Sequence, residues 1–310
     1  MAKYILKRAA MAVVTLLVIV CIMFFLLKFM PGSPFDDEML TDEQISIMMA
    51  TYGLDQPFYI QFFRYITNML QGNLGVSFNI QAGMPVSALV AARLPISVQI
   101  GLQAATLGSL IGLLFGIISA LHKNSAFDSL STALSVIGVS MPAFVFALLL
   151  QYFLAYKLKW FPVLYSNKQE LLSTVLPTLS LSMFTMASIA RYSRSELIEV
   201  MASDYILLAD SKGLPRNRLI FRHALRNSMI GVITVLAPLV VSLMSGSLVV
   251  EKAFSIPGLG SLFITAIQQN DYNVVVSISF IYSVMLVAVM LLVDILYGLI
   301  DPRIRLEKGA

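Results

Sequence analysis

Side chains that can move protons, attack carbonyls or bind metals are scarce in this 310-residue sequence. It holds two histidines, His122 and His223, and one cysteine, Cys21. Neither histidine has a Ser, Cys or metal-ligand cluster beside it, so a nucleophile–base pair or a zinc site has nothing to be built from. No H-E-x-x-H run occurs, and no G-x-x-x-x-G-K-[ST] loop that would cradle nucleotide phosphates. Cys21 lies within an apolar run and reads as a small buried hydrophobe; alone, it excludes a disulfide within the chain. A membrane-embedded hydrolase is therefore not expected, nor is a metal or cofactor held by this chain. Asp294 is the one acid placed inside an apolar run. Such acids mark proton or ion paths by default, but a proton-coupled carrier would carry several. Asp294 lies near the end of its run, close to Asp301, where pairing with an arginine is expected.

The elements that must position such groups are membrane spans. The chain is 58% hydrophobic and only 12% charged, against about 45–50% and about 25% in soluble domains. So few charges cannot cover a soluble protein of this size, and the surplus apolar surface must face lipid. Six uncharged runs are long enough to span, at 9–27, 96–121, 129–156, 171–190, 227–250 and 272–293. Pro142, Pro177 and Pro238 fall inside them, and each frees a backbone carbonyl that lipid cannot satisfy. Ordinary kinks and a packed bundle around a pathway both account for these prolines. Polar groups within the runs include Gln99, Gln103, Gln151, Ser180, Ser182, Thr185, Ser242, Ser245 and Ser247. Gln103, Gln151, Ser182 and Ser245 are the pathway candidates, against the commoner role of helix-packing hydrogen bonds.

An even number of spans puts both termini on one side. With both inside, 14 of the 21 Lys and Arg residues fall on the inner face, the bias expected of a cytoplasmic side. The net charge of +4 thus reflects orientation and not nucleic-acid binding. The sequence divides into an N-terminal tail with the first span (1–30), an extracytoplasmic segment (31–95), a five-helix core (96–302) and a tail (303–310). Within the outer segment, Thr41 to Gln44 reads as a capping box, Gly53 as a helix stop and Pro57 as the start of a second helix. That helix carries Phe58, Tyr59, Phe62, Phe63 and Tyr65, an aromatic stripe suited to packing, to the lipid interface or to docking a partner.

The inner connection 191–226 is too long for a tight turn. Asp204 can cap a short helix whose Tyr205, Leu208 and Ala209 share one face. Lys212 suits the C-terminal end of the helix dipole, Gly213 can take the left-handed stop, and Leu214-Pro215 prevents continuation. A two-turn helix with an apolar stripe on the cytoplasmic face fits a partner's groove or rests on the bilayer surface; periodicity does not separate the two.

The run Asp204 to Pro215, with Asp210 inside it, followed by Arg222-His223-Ala224-Leu225-Arg226-Asn227, resembles the cytoplasmic loop of ABC importer permeases, in their oligopeptide/dipeptide/nickel branch. The general motif begins Glu-Ala-Ala; here Leu207-Leu208-Ala209 stands in its place, so Ala209 and Gly213 match and the glutamate is missing. Glu251 to Gly260, with Phe254, Pro257, Gly258 and Gly260, resembles the same branch's Glu-x-x-Phe-x-x-Pro-Gly-x-Gly signature. Pro31 to Pro34, Tyr52 to Pro57, Leu74 to Phe78, Asp271-Tyr272 and the ending Asp294, Tyr297 and Asp301-Pro302-Arg303 extend the likeness over essentially the whole chain.

The resemblance implies an all-α membrane protein with six transmembrane helices, the type I ABC importer permease fold, and a cytoplasmic coupling helix at Asp204–Pro215. It implies a transport subunit for oligopeptides in the plasma membrane, not an enzyme. A second homologous permease, two cytoplasmic ATPases that bind ATP and Mg, and an extracytoplasmic peptide-binding protein would complete the machine. Glu251 and the loop after it would form an outer gate. A dipeptide or nickel-chelate cargo belongs to the same branch.

Overall fold

The computed structural model describes residues 2–29 and 41–300. Helices α1 (Ala2–Phe29), α2 (Asp42–Tyr52), α3 (Phe58–Leu70), α4 (Val86–Leu121) and α5 (Ala126–Ser140) are followed by α6 (Ala143–Leu150), which runs into a π-helical turn at Gln151–Lys157. Then come α7 (Glu170–Met201), α8 (Asp204–Ser211), the single turn α9 (Arg216–Arg218) with a π turn at Leu219–Ala224, α10 (Leu225–Met244), α11 (Leu248–Ala253), α12 (Leu259–Gln268) and α13 (Tyr272–Ile300). The described residues contain no β-strand, only an isolated bridge between Val76 and Pro85.

Among the described residues, five helices are long and apolar enough to cross a membrane, and a sixth span forms if the pair α5 and α6 counts as one. That pair bends by 104°. The break is at Met141-Pro142, where Met141 is extended (φ −81°, ψ 124°). Proline lacks the N–H that would continue the ladder and pushes the residue before it out of helical conformation. Pro95, Pro177 and Pro238 stay inside α4, α7 and α10.

The helices outrun their uncharged cores. α4 begins at Val86, so part of the 31–95 segment is helical approach to the second span. α7 continues to Met201, which shortens the irregular part of 191–226. The uncharged run measures the stretch able to lie in lipid, while helical hydrogen bonding continues into the polar phase.

The chain forms two compact units. One runs from Ile96 to Ile256 and resumes at Ala288; the other comprises Ala2–Pro95 and Pro257–Val287. In the first, α7 is the central helix, with α5, α6 and α10 against it. Its contact with α4 is close because Gly112 is bare: a Cβ there would lie 2.6 Å from the Met186 carbonyl oxygen. In the second, Val86, Leu89, Leu259, Val274 and Ile278 form one buried cluster, and Val20, Met69 and Val276 another. α2 carries the expected capping box of Thr41 and Gln44, and Gly53 takes the left-handed stop (φ +67°). Pro57 is the residue just before α3 and not its first turn.

Candidate functional site

The α8 hairpin starts from a serine. Ser203, not Asp204, occupies the cap position, with extended backbone (φ −76°, ψ 150°). Its hydroxyl donates back to the Val200 carbonyl (2.6 Å), which also accepts the Ser203 N–H (3.1 Å) where the α7 ladder ends. Asp204 is the first helical residue, where its charge complements the dipole. Ile206 is buried in a cluster with Leu197, Leu219 and Ala224, and Ala209 packs onto the same cluster beside Ile117, Ala120 and Leu121 of α4. The opposite side is bare: Tyr205, Leu207 and Leu208 are 44%, 55% and 57% exposed. The single apolar face expected from Tyr205, Leu208 and Ala209 is thus divided. Ala209 belongs to the base with Ile206, and Tyr205 and Leu208 stand out with Leu207. The Tyr205 hydroxyl accepts a hydrogen bond from Asn227 Nδ2 (2.8 Å), which ties the exposed side to the start of α10.

Lys212 follows the last turn of α8. Gly213 has φ +75° and nothing within 4 Å of where a Cβ would stand. Glycine is therefore favoured here by backbone conformation and not by space. Its N–H reaches the Asp210 carbonyl (2.8 Å), and the Leu214 N–H reaches that of Ala209 (3.4 Å). Pro215 then precedes the turn that carries the exposed Arg216 and Arg218. The result is a short helix seated on a dry base, with leucines presented outward and basic residues beside them.

The outer-loop candidates are buried, except Pro257. Glu251 is 4% exposed and accepts from the Ser97 hydroxyl (2.8 Å). Phe254 is packed among Ile96, Ile100 and Ile256, and its carbonyl accepts from Tyr165 N (2.8 Å). In the other unit, Pro257 is exposed, Gly258 precedes α12, and Gly260 is buried.

The pathway candidates separate. Gln151 is a staple, donating to the carbonyls of Val163 (2.8 Å) and Ala253 (3.1 Å). Ser182 and Ser245 donate to carbonyls three residues back, Leu179 and Ser242. Gln103 alone borders an open groove of about 730 Å³ between α4 and α7, where its Oε1 accepts from Thr178 (3.0 Å). Among the described residues no group of three His, Cys, Asp or Glu side chains could hold a metal. The side chain of Asp294 and residues 30–40 and 301–310 lie outside the described residues.

Two polar clusters were not anticipated. Asp128 at the start of α5 accepts Arg194 Nε (2.6 Å), Arg194 Nη2 (2.8 Å), the Ser119 hydroxyl (2.6 Å) and the Asn124 amide (2.9 Å). This bidentate clamp joins α4, α5 and α7 one helical turn before the base of α8. Ser125 and Asp128 read as S-x-x-D before an apolar run, a signal of a helix start; nothing in the sequence marks Arg194 as the partner. In the other unit, Asp271 is fully buried before α13. It accepts the Ser77 hydroxyl and the amides of Phe78 (3.0 Å), Asn79 (3.1 Å) and Ile80 (3.2 Å).

Residues 112–306 match the family described as binding-protein-dependent transport system inner membrane component, and residues 1–101 match its N-terminal counterpart. The chain belongs to this family. A dipeptide transport system permease protein of Lactococcus lactis subsp. cremoris is 43% identical to this family member, over 99% of the present chain and 100% of its own. An oligopeptide transport system permease protein of Escherichia coli K12 is 37% identical, over 98% and 100%. Among solved structures, an inward-facing methionine ABC transporter superposes with a TM-score of 0.57 at 14% identity, covering 69% of this family member and 97% of that chain. An amino acid ABC transporter gives 0.53 at 15%, covering 68% and 93%. The fold is that of ABC importer permeases, type I, and this family member is a multi-pass membrane protein.

Proposed function

We propose that the chain is the pathway-forming permease subunit of an ATP-driven importer of peptides. The observation that carries the cargo is likeness along the entire length to dipeptide and oligopeptide permeases, at 43% and 37% identity. α8 is the coupling helix. Its dry base moves with α7, and Tyr205, Leu207 and Leu208 enter a cleft on a cytoplasmic ATPase. Asp204, Asp210 and Lys212 flank the contact, and Gly213, Leu214 and Pro215 close the hairpin. A partner shifts an equilibrium only by its differential affinity, so ATP-loaded ATPases must fit α8 better in one permease conformation than in the other. Two such ATPases bind the ATP and Mg. A second homologous permease completes the pore, and an extracytoplasmic binding protein delivers the peptide.

Both termini are cytoplasmic, as the distribution of basic residues favours. Glu251, Phe254, Pro257, Gly258 and Gly260 form the outer gate. Gln103 lines this chain's share of the pathway, offering a carboxamide suited to a peptide backbone on a wall otherwise of leucine, valine and threonine.

The test is uptake of radiolabelled dipeptides and longer peptides by proteoliposomes holding the assembled complex, with ATP inside. The wild type accumulates label only with ATP and binding protein present. Leu208→Asp, an exposed change with little effect on folding, loses accumulation while ATP hydrolysis continues. Accumulation that persists without any ATPase, or an unimpaired Leu208→Asp complex, refutes the reading.

A further inference from the structure

α3 has a second apolar sector, of which Tyr59 and Phe63 stay bare. At about 100° per residue, Phe58, Phe62, Tyr65 and Met69 project along one side of the helix. That side is packed. Phe24 lies 5.3 Å, 5.3 Å and 5.5 Å from the rings of Phe58, Phe62 and Tyr65, and Phe25 lies 5.2 Å from Phe58. Met69 joins Val20 and Val276. About a quarter turn away stand Tyr59, Phe63 and Ile66, and of these Ile66 still packs onto the Val20 and Met69 cluster. Tyr59 and Phe63 are 62% and 65% exposed. The remaining arc is mainly polar, with Gln61, Arg64, Thr67 and Asn68.

The packing partners set the depth. The apolar span of α1 is Arg8–Leu26, and Phe24 and Phe25 lie at its end. Val20, reached by the other end of α3, is about 7 Å further along the span at 1.5 Å per residue. α3 covers about 16 Å between Phe58 and Met69 by the same rise, so it lies nearer crosswise than parallel to α1. A crosswise helix at the rim of a span has one flank on the bundle, one toward the hydrocarbon and one toward water. The sequence of α3 supplies these three in that angular order. α1 likewise leaves apolar residues bare on its span, with Val18 and Ile22 51% and 52% exposed.

We infer that Tyr59 and Phe63 are seated in lipid, at the boundary between headgroups and acyl chains, and that α3 is an interfacial anchor for the segment around it. Aromatic rings favour this level, and amphipathic helices lie with their apolar face about 5–10 Å into it. The aromatic stripe then belongs to the bilayer and not to a delivering protein. This rests on membrane placement alone and is independent of cargo.

The test uses the assembled transporter in phosphatidylcholine vesicles. Trp160, the sole tryptophan of this chain, is replaced in Trp160→Phe, a reporter is installed as Phe63→Trp or, separately, Tyr59→Trp, and its emission is read as the difference from the same complex carrying Trp160→Phe alone. Arg64→Trp is the polar-face control. Brominated phosphatidylcholine should reduce emission from positions 63 and 59 roughly twofold while aqueous iodide barely affects it; the control should show the reverse. Having two reporter positions keeps the test decisive if one variant fails to assemble. Iodide quenching at both positions without bromolipid quenching overturns the proposal, and so does shielding that appears only when binding protein is added.

Discussion

The Asp128–Arg194 clamp yields a prediction of sign as well as size. The Asp128 side chain is 6% exposed and that of Arg194 30%. Arg194→Ala therefore leaves a carboxylate shut away from water with only the Ser119 hydroxyl and the Asn124 amide as donors. Removing one partner of a buried pair costs about 3–5 kcal/mol, chiefly because the other charge is stranded. Adding Asp128→Asn to Arg194→Ala removes that stranded charge at nearly constant volume. The double variant should therefore be more stable than Arg194→Ala alone, by about 1–3 kcal/mol, which is roughly 5- to 150-fold in the folded-to-unfolded ratio. Urea unfolding in mixed micelles, followed by the fluorescence of Trp160 in the same unit, measures each corner of the cycle. If the two substitutions add, or the double variant is the least stable of the set, stranded charge is not what the clamp prevents and the reasoning fails.

Three further outcomes follow from local geometry. Gly213→Val should destabilise the α8 hairpin by roughly 1–2 kcal/mol through its positive φ, while Gly213→Asn stays close to wild type; thermal melting of the purified complex separates them. Gly112→Val should wedge α4 from α7 and cost at least about 1–3 kcal/mol, seen as a lower urea midpoint, whereas Leu110→Val on the exposed side of α4 should be nearly neutral. Asp271→Ala should release the turn at residues 77–80, and hydrogen exchange at the amides of Phe78, Asn79 and Ile80 should quicken by at least roughly tenfold. Unchanged exchange there would mean that other contacts hold the turn.

Much of this protein can be read without coordinates, because lipid imposes rules that act on one residue type at a time. A run without charges must span, and a broken ladder inside it must be at proline; 9–27 and 272–293 lie within α1 and α13 as expected. Capping and left-handed stops are equally local, which is why Thr41, Gln44, Gly53 and Gly213 take their expected roles. The α8 hairpin was found by its spacing and its likeness to a family motif. Which of its apolar residues face outward was not legible: Ile206 and Ala209 are claimed by Leu197, Leu219 and Ala224, and that depends on where α7 and the Leu219–Ala224 turn come to lie. The pathway residues show the same limit. Gln103, Gln151, Ser182 and Ser245 are alike in sequence, and only their neighbours make one a groove lining, one a staple and two back-bonded to their own helices. Periodicity and composition report what a residue prefers. Charge pairing across 66 residues, as between Asp128 and Arg194, or hydrogen bonding across 193, as from the Phe78 amide to Asp271, depends on tertiary packing. Only the assembled fold brings such groups within hydrogen-bonding distance.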